Sequence, residues 1–230
     1  MARRPPAPAA LLARVALFRG LDAATLDRLA AAATRHPFRR GETVFNKGEP
    51  IEGMYVVVYG EIKLLGTTPK GRARLTSIAG PGHTLAEPMV FLDRSAVVSA
   101  QAASDALLLQ IPKAAMFAEL EGNPAFAREM VIELSRRIER LVLDLERQAV
   151  SNGTERFIAY LLRNCSDPAQ PFTTTLPASK RAIASLLNLT PEHFSRILQE
   201  LQQAQLLQVE GRRISVPEPE RLMLAGGQAS

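Results

Sequence analysis

The chain has 230 residues, 47% hydrophobic and 22% charged, with a formal net charge of +5. That balance excludes wholesale disorder, and the length exceeds the roughly 100–150 residues of a usual domain, so two domains are expected. The modest basic excess suits an anionic partner without demanding one, and the single cysteine, Cys165, excludes an intramolecular disulfide and a thiolate-held iron–sulfur cluster, which needs about four cysteines.

Met1 to Phe18 carries Arg3 and Arg4 before an Ala/Leu stretch, but Pro5, Pro6 and Pro8 crowd it and Arg14 interrupts the apolar run. It reads as a ragged tail rather than a signal peptide. No run reaches the roughly 18–20 apolar residues of a membrane span, so no membrane partner and a cytoplasmic location are expected. Asp22 is placed to cap a helix running toward Arg35, with Leu21 and Leu26 in the flanking staple positions.

From Pro37 to Ile111 the pattern changes to short β-rich runs: Met54–Tyr59, Glu61–Leu65, Arg72–Ile78, Val97–Ala102 and Ala106–Ile111. Glycines, among them Gly60 and Gly71, punctuate them. With no helix-length segment for crossovers, the pattern predicts an antiparallel barrel or jelly roll.

Asn123 and Pro124 fit the cap and first position of a helix that nothing breaks before Asn152-Gly153. Met130, Leu134, Ile138, Leu141, Leu145 and Ala149 recur at alternating three- and four-residue spacing along it, the seam of a coiled coil. Leu134, Ile138, Leu141 and Leu145 are therefore candidates for dimerisation, one side of an intramolecular bundle being the alternative. Asn152-Gly153-Thr154 reads as a hinge, with Thr154 capping the next helix. The predicted organisation is a sensing domain over residues 1–122, a dimerisation helix and hinge over 123–152, and a third segment over 153–230: an α+β chain overall.

In that third segment Ser179 can cap a short helix holding Ile183, Leu186 and Leu187, and Asn188 tolerates the left-handed turn that follows. Thr190 caps the next helix with Pro191 at its first position. Glu192, Ser195, Arg196 and Gln199 then share one face, and Phe194, Ile197, Leu198 and Leu201 the other. This is the pattern of a helix-turn-helix whose second helix enters the major groove of DNA. Leu206–Val209 and Ile214–Val216 flank Glu210-Gly211-Arg212-Arg213, a wing-like hairpin. Lys180, Arg181, Arg212 and Arg213 are candidates for phosphate contact, with solvated surface charge as the alternative for each.

Glu192-His193-Phe194-Ser195-Arg196 resembles the Glu-x-x-Ser-Arg recognition pattern of the cyclic-AMP receptor and fumarate-nitrate regulator (CRP/FNR) family of bacterial transcription factors. The resemblance covers about Phe18 to Val216. It implies a cyclic-nucleotide-binding-like barrel, a winged helix-turn-helix, a homodimer on double-stranded DNA, RNA polymerase as a further partner, and an inverted repeat with TTGAT-like half-sites. The chemistry agrees, since Arg196 can grip guanine O6 and N7 and Glu192 can accept from cytosine N4.

The stretch from Glu87 to Ala96 lies where the family's phosphate-binding cassette lies, and Glu87, Arg94 and Ser95 match positions that hold ribose and cyclic phosphate. The match departs from the pattern in Ala86, where a glycine is usual, and in a shortened stretch before Arg94. Leu141 and Val142, aligned with adenine-binding residues, offer no hydrogen bonds. Cyclic-nucleotide binding is therefore disfavoured. The string Ala86-Glu87-Pro88-Met89-Val90-Phe91-Leu92-Asp93 resembles instead the denitrification (Dnr-like) regulators, which implies nitric-oxide sensing through haem. His36, His83 and His193 are the only histidines, and none marks a haem motif by spacing; a structural or surface role is the alternative for each, and His83, beside the cassette, is the leading iron-ligand candidate. Two other function classes are a cyclic-nucleotide-responsive regulator and an effector-binding module acting on a protein without DNA. No nucleophile–base–acid set, metal-ligand spacing or glycine-rich nucleotide loop points to an enzyme.

Overall fold

The computed structural model describes residues 7–67, 73–150, 152–165 and 167–227, with residues 144–150 described by backbone alone. The chain divides into two compact units, the division falling inside the long helix between Leu141 and Val142.

In the first unit, helix α1 (Pro8–Leu12) and a 3-10 turn (Ala16–Phe18) place Leu12, Val15, Leu17 and Phe18 in the core. From Pro8 onward the expected ragged tail is thus part of the fold; Arg3 to Pro6 lie outside the described residues. A proline in the first turn of a helix gives up an N–H that has no partner there anyway, so Pro8 starts this helix rather than breaking it. Helix α2 (Ala23–Ala32) is capped by Asp22, whose carboxylate accepts from Thr25 N–H at 2.7 Å. It stops three residues short of Arg35, because Thr34–Phe38 forms strand β1. Pro37 disfavours helical backbone at the residue before it, and it sits on an edge strand, where its missing donor does little harm.

Seven further strands follow: β2 (Thr43–Phe45), β3 (Gly53–Tyr59), β4 (Ile62–Thr67), β5 (Ala73–Ala79), β6 (Thr84–Leu85), β7 (Ser99–Ala102) and β8 (Ala106–Pro112). They form two four-stranded antiparallel sheets, ordered β1-β8-β3-β6 and β2-β7-β4-β5, a jelly roll. The five predicted strands are present within a residue or two, Gly71 and Arg72 lying outside the described residues. Short β1, β2 and β6 carry too little apolar periodicity to be read from sequence. Gly60, at φ +83°, turns β3 into β4, and a Cβ there would fall 2.4 Å from the Asp105 carbonyl oxygen, so both backbone conformation and space require glycine.

Between β6 and β7 lies the one-turn helix α3 (Glu87–Phe91). After β8 come α4 (Lys113–Gly122) and the long α5 (Pro124–Val150), where Asn123 Oδ1 accepts from Phe126 N–H at 3.2 Å as expected of a cap. Arg28 from α2 forks onto Glu119 of α4 at 2.5 and 2.8 Å and holds its carboxyl below the usual range. Asn123 joins them through Thr25 at 2.9 Å, so α2, α4 and the start of α5 are tied together. Phe126 and Met130 are buried in the jelly-roll core. Met130 therefore serves the sensing unit, not the outward seam to which its spacing assigned it.

In the second unit, α6 (Gly153–Arg163) is capped by Asn152, not by Thr154: Asn152 and Glu155 form a reciprocal capping box. Gly153 is the first helical residue, and a Cβ on it would lie 2.9 Å from Leu189 and 3.0 Å from Ile197 side-chain carbons. Its smallness serves close packing. Strands β9 (Phe172–Thr175), β10 (Gln208–Glu210) and β11 (Arg213–Val216) form an antiparallel sheet ordered β10-β11-β9, accompanied by α7 (Lys180–Leu186), α8 (Pro191–Gln203) and α9 (Pro219–Ala225). Phe157 of α6 meets Phe194 of α8 edge to face, with ring centroids 4.9 Å apart. No described helix is long and apolar enough to cross a membrane.

Candidate nucleic-acid interface and sensing cassette

Helices α7 and α8 are built from the signals that predict them. Ser179 accepts from Ala182 N–H at 3.2 Å, Asn188 takes φ +55°, and Thr190 accepts from His193 N–H at 3.2 Å ahead of Pro191. Phe194, Ile197, Leu198 and Leu201 are buried, whereas Glu192, Ser195, Arg196 and Gln199 are exposed. The inner face fixes the rotation of α8, so the outer four face solvent without further support. Ser195 Oγ donates to the Pro191 carbonyl at 2.8 Å, which leaves its lone pairs outward as acceptors. Arg156 on α6 donates to the Leu187 carbonyl at 3.0 Å and so anchors the turn between the two helices.

Lys180 and Arg181 open α7 and are exposed, as are Arg212 and Arg213. Glu210 pairs with Arg213 across the hairpin, so Gly211-Arg212 is its two-residue tip. Gly211, at φ +61°, supplies the backbone that such a tip needs. Arg213 is therefore the first residue of β11 rather than part of the turn. The whole set, Lys180, Arg181, Thr190, Glu192, Ser195, Arg196, Gln199, Arg212 and Arg213, belongs to the second unit.

The sensing cassette is arranged differently. Ala86 adopts φ +71°, the left-handed conformation that glycine favours, and leads into α3. Glu87 is 2% exposed. Its Oε1 accepts from Arg137 Nη1 of α5 at 2.5 Å and from the Thr84 hydroxyl. Arg94 and Ser95 lie beyond α3, both exposed, and neither side chain makes a hydrogen bond or ion pair among the described residues. Asp93, at φ +50°, is bridged by Lys113. The cassette thus presents one carboxylate engaged through Oε1 and one guanidinium with no ion pair among the described residues. Arg137 was not legible as Glu87's partner: fifty positions separate them, and only the packing of α5 brings them together.

Leu134 of α5 is half-buried, while Ile138, Leu141 and Val142 are 63%, 57% and 49% exposed. Val131 is exposed beside them, so the apolar stripe is wider than the predicted seam. Leu145 and Ala149 fall among the residues whose side chains are not described. His83 lies exposed in the turn before β6, its Nδ1 3.1 Å from the Gly80 carbonyl oxygen. No group of three or more His, Cys, Asp or Glu side chains arranged to hold a metal occurs among the described residues. Burial holds the Cys165 thiol above its ordinary pKa.

One further residue of α8 bears on the DNA-facing set. Glu200, one turn beyond Arg196, places Oε1 3.8 Å from Arg196 Nε. The i, i+4 spacing was visible in the sequence and marks such a pair.

The family description "Cyclic nucleotide-binding domain" matches residues 35–123, and "Crp-like helix-turn-helix domain" matches residues 155–225. The chain is similar to the nitrogen fixation regulation protein FixK of Bradyrhizobium diazoefficiens, 30% identical over 213 residues that span 88% of this chain and 86% of that one. It is also similar to a CRP-like cAMP-activated global transcriptional regulator of Mycobacterium tuberculosis, 24% identical over 220 residues, 92% of this chain and 96% of the other. Among solved structures, that of DNR from Pseudomonas aeruginosa aligns with a TM-score of 0.54 at 29% identity over 94% of this chain and 96% of that one.

Proposed function

Because the chain belongs to the CRP/FNR family of DNA-binding transcription regulators, we propose that it acts as a homodimer reading an inverted repeat with TTGAT-like half-sites through α8. The observation that carries the reading is the division of α8: a buried inner face, and an exposed outer face of Glu192, Ser195, Arg196 and Gln199 directly behind the Thr190–Pro191 start. Arg196 reads guanine and Glu192 cytosine, while Lys180, Arg181, Arg212 and Arg213 neutralise phosphates. The exposed stripe of α5 supplies the two-fold axis that matches the repeat. RNA polymerase is the further partner, and the cytoplasm the location.

Fluorescence anisotropy on the repeat and on a random duplex, at one salt concentration, tests this reading. Preference for the repeat by a factor of about 10³ or more is expected of a specific regulator. Equal binding to both duplexes, or none, would leave the module acting on a protein partner in its place.

For the effector, a haem-linked response to nitrogen oxides is the first reading. It is supported by the similarity to DNR and by the apolar Leu141 and Val142. His83 fits an iron ligand in one respect: a ligating imidazole usually directs its other ring nitrogen to a carbonyl or carboxylate, as Nδ1 does here to Gly80. Haem, when bound, would supply the iron that takes nitric oxide. A cyclic nucleotide is the second reading, favoured by the matched domain description and by the exposed Arg94, which makes no ion pair among the described residues. Against it stands Glu87, whose Oε1 is already engaged by Arg137 and Thr84. Anaerobic absorption spectra with haem and nitric oxide, beside calorimetry with cyclic AMP on the parent and Arg94→Ala, separate the two readings. A Soret shift supports the first; cyclic-AMP binding abolished by Arg94→Ala supports the second.

A further inference from the structure

We propose that Glu200 is a positioning residue for base readout, holding Arg196 in the orientation that reads guanine; this rests on the DNA-binding reading of α8. Glu192, Arg196 and Glu200 stand at i, i+4 and i+8, so Arg196 has a carboxylate one helical turn away on each side. Among the described residues its ion pair is with Glu200, from Nε to Oε1 at 3.8 Å. Glu192 makes no ion pair among the described residues.

Two consequences follow from that asymmetry. With Nε turned toward Glu200 at ion-pair distance, the two terminal Nη groups are left as the fork that meets guanine O6 and N7, which favours one bidentate geometry among those a free guanidinium could use. With Arg196 drawn toward Glu200, the Glu192 carboxylate is left free to accept from a base amine instead of collapsing onto its neighbour. Helix stability does not account for the pair. Arg196 and Glu200 are 67% and 59% exposed, and Arg placed N-terminal to Glu is the weaker order for an i, i+4 pair.

The test measures binding of the full-length protein to three duplexes: the inverted repeat, the same repeat with the half-site guanine replaced, and a random sequence. The parent, Glu200→Ala, Glu200→Gln, Arg196→Ala and the Arg196→Ala/Glu200→Ala double variant are compared at one salt concentration, with thermal melting as a check on folding. A bidentate contact discriminates by about 5- to 150-fold, and loss of alignment alone should cut discrimination between the first two duplexes by about 3- to 10-fold in Glu200→Ala. Glu200→Gln keeps the length and a carbonyl oxygen but removes the charge of the ion pair, so its discrimination should fall between that of the parent and that of Glu200→Ala. In the Arg196→Ala background, removing Glu200 should change nothing further.

Uniform strengthening on all three duplexes in Glu200→Ala, with unchanged discrimination, would make Glu200 a mere repulsive surface charge and overturn the proposal. So would an equal loss of discrimination with and without Arg196. A parent protein that does not distinguish the repeat from random DNA would instead remove the underlying reading of α8, and this proposal with it.

Discussion

The outer face of α8 and the cassette around Glu87 manage their polar groups in opposite ways. On α8 the chemistry-bearing side chains are exposed and loosely held, and an apolar inner face beneath them sets their direction. In the cassette the carboxylate is buried, and its hydrogen bonds come from a neighbouring strand and from a helix fifty residues away. A surface that waits for a partner can leave charges to water, because water solvates them at little cost. A buried carboxylate cannot, so the fold has to supply its partners.

The largest effect that would sharpen this contrast lies outside both regions. Replacing Ile138 and Leu141 together by aspartate charges the exposed stripe of α5 without disturbing buried Phe126 or Met130. The expected result is a folded monomer by sedimentation whose affinity for the repeat falls by about 100-fold or more, since both half-sites can no longer be engaged at once. A variant that remains dimeric would place the interface elsewhere.

Next in size, Arg137→Ala should destabilise the sensing unit by about 1–3 kcal/mol in urea unfolding, because it leaves the buried Glu87 short of its charged partner. The figure is set below that of a fully buried pair because Arg137 is itself 48% exposed. Arg196→Ala should do the reverse: melting unchanged, with about 1–3 kcal/mol lost on the cognate repeat and preference flattened at one guanine. If Arg137→Ala left stability intact while Arg196→Ala unfolded the second unit, the contrast between the two regions would collapse.

Smaller still, Arg212→Ala at the wing tip should weaken all sequences alike and reduce the salt dependence of binding by about one counterion. A loss confined to the cognate repeat would turn Arg212 into a base reader. The smallest effect is expected from Ala86→Gly. A left-handed alanine costs roughly 1–2 kcal/mol, part of which the glycine loses again to its freer unfolded chain, so a net gain of about 1 kcal/mol or less should appear in thermal unfolding. A loss would mean that packing around the Ala86 methyl outweighs the backbone strain.

How much of this was legible beforehand differs by region for physical reasons. The capping residues Asp22, Ser179 and Thr190, the left-handed Asn188 and the two faces of α8 were readable because each is set by residues within about one helical turn. The Asn152/Glu155 capping box and the Arg196/Glu200 pair are equally local, each set by residues three or four apart. The cassette residues were readable only through family resemblance.

By itself, the sequence determined the order of elements, their local starts and stops, and the polar face offered for DNA, since hydrophobic periodicity and caps act over a few residues. The tertiary structure alone decided that the segment from Pro8 joins the core, that Met130 faces inward while Ile138 faces outward, and that Arg137 closes on Glu87. Those outcomes depend on which surfaces of distant elements meet. Helical spacing shows that an apolar face will be buried, but which element buries it is settled only when the sheets and α5 pack together.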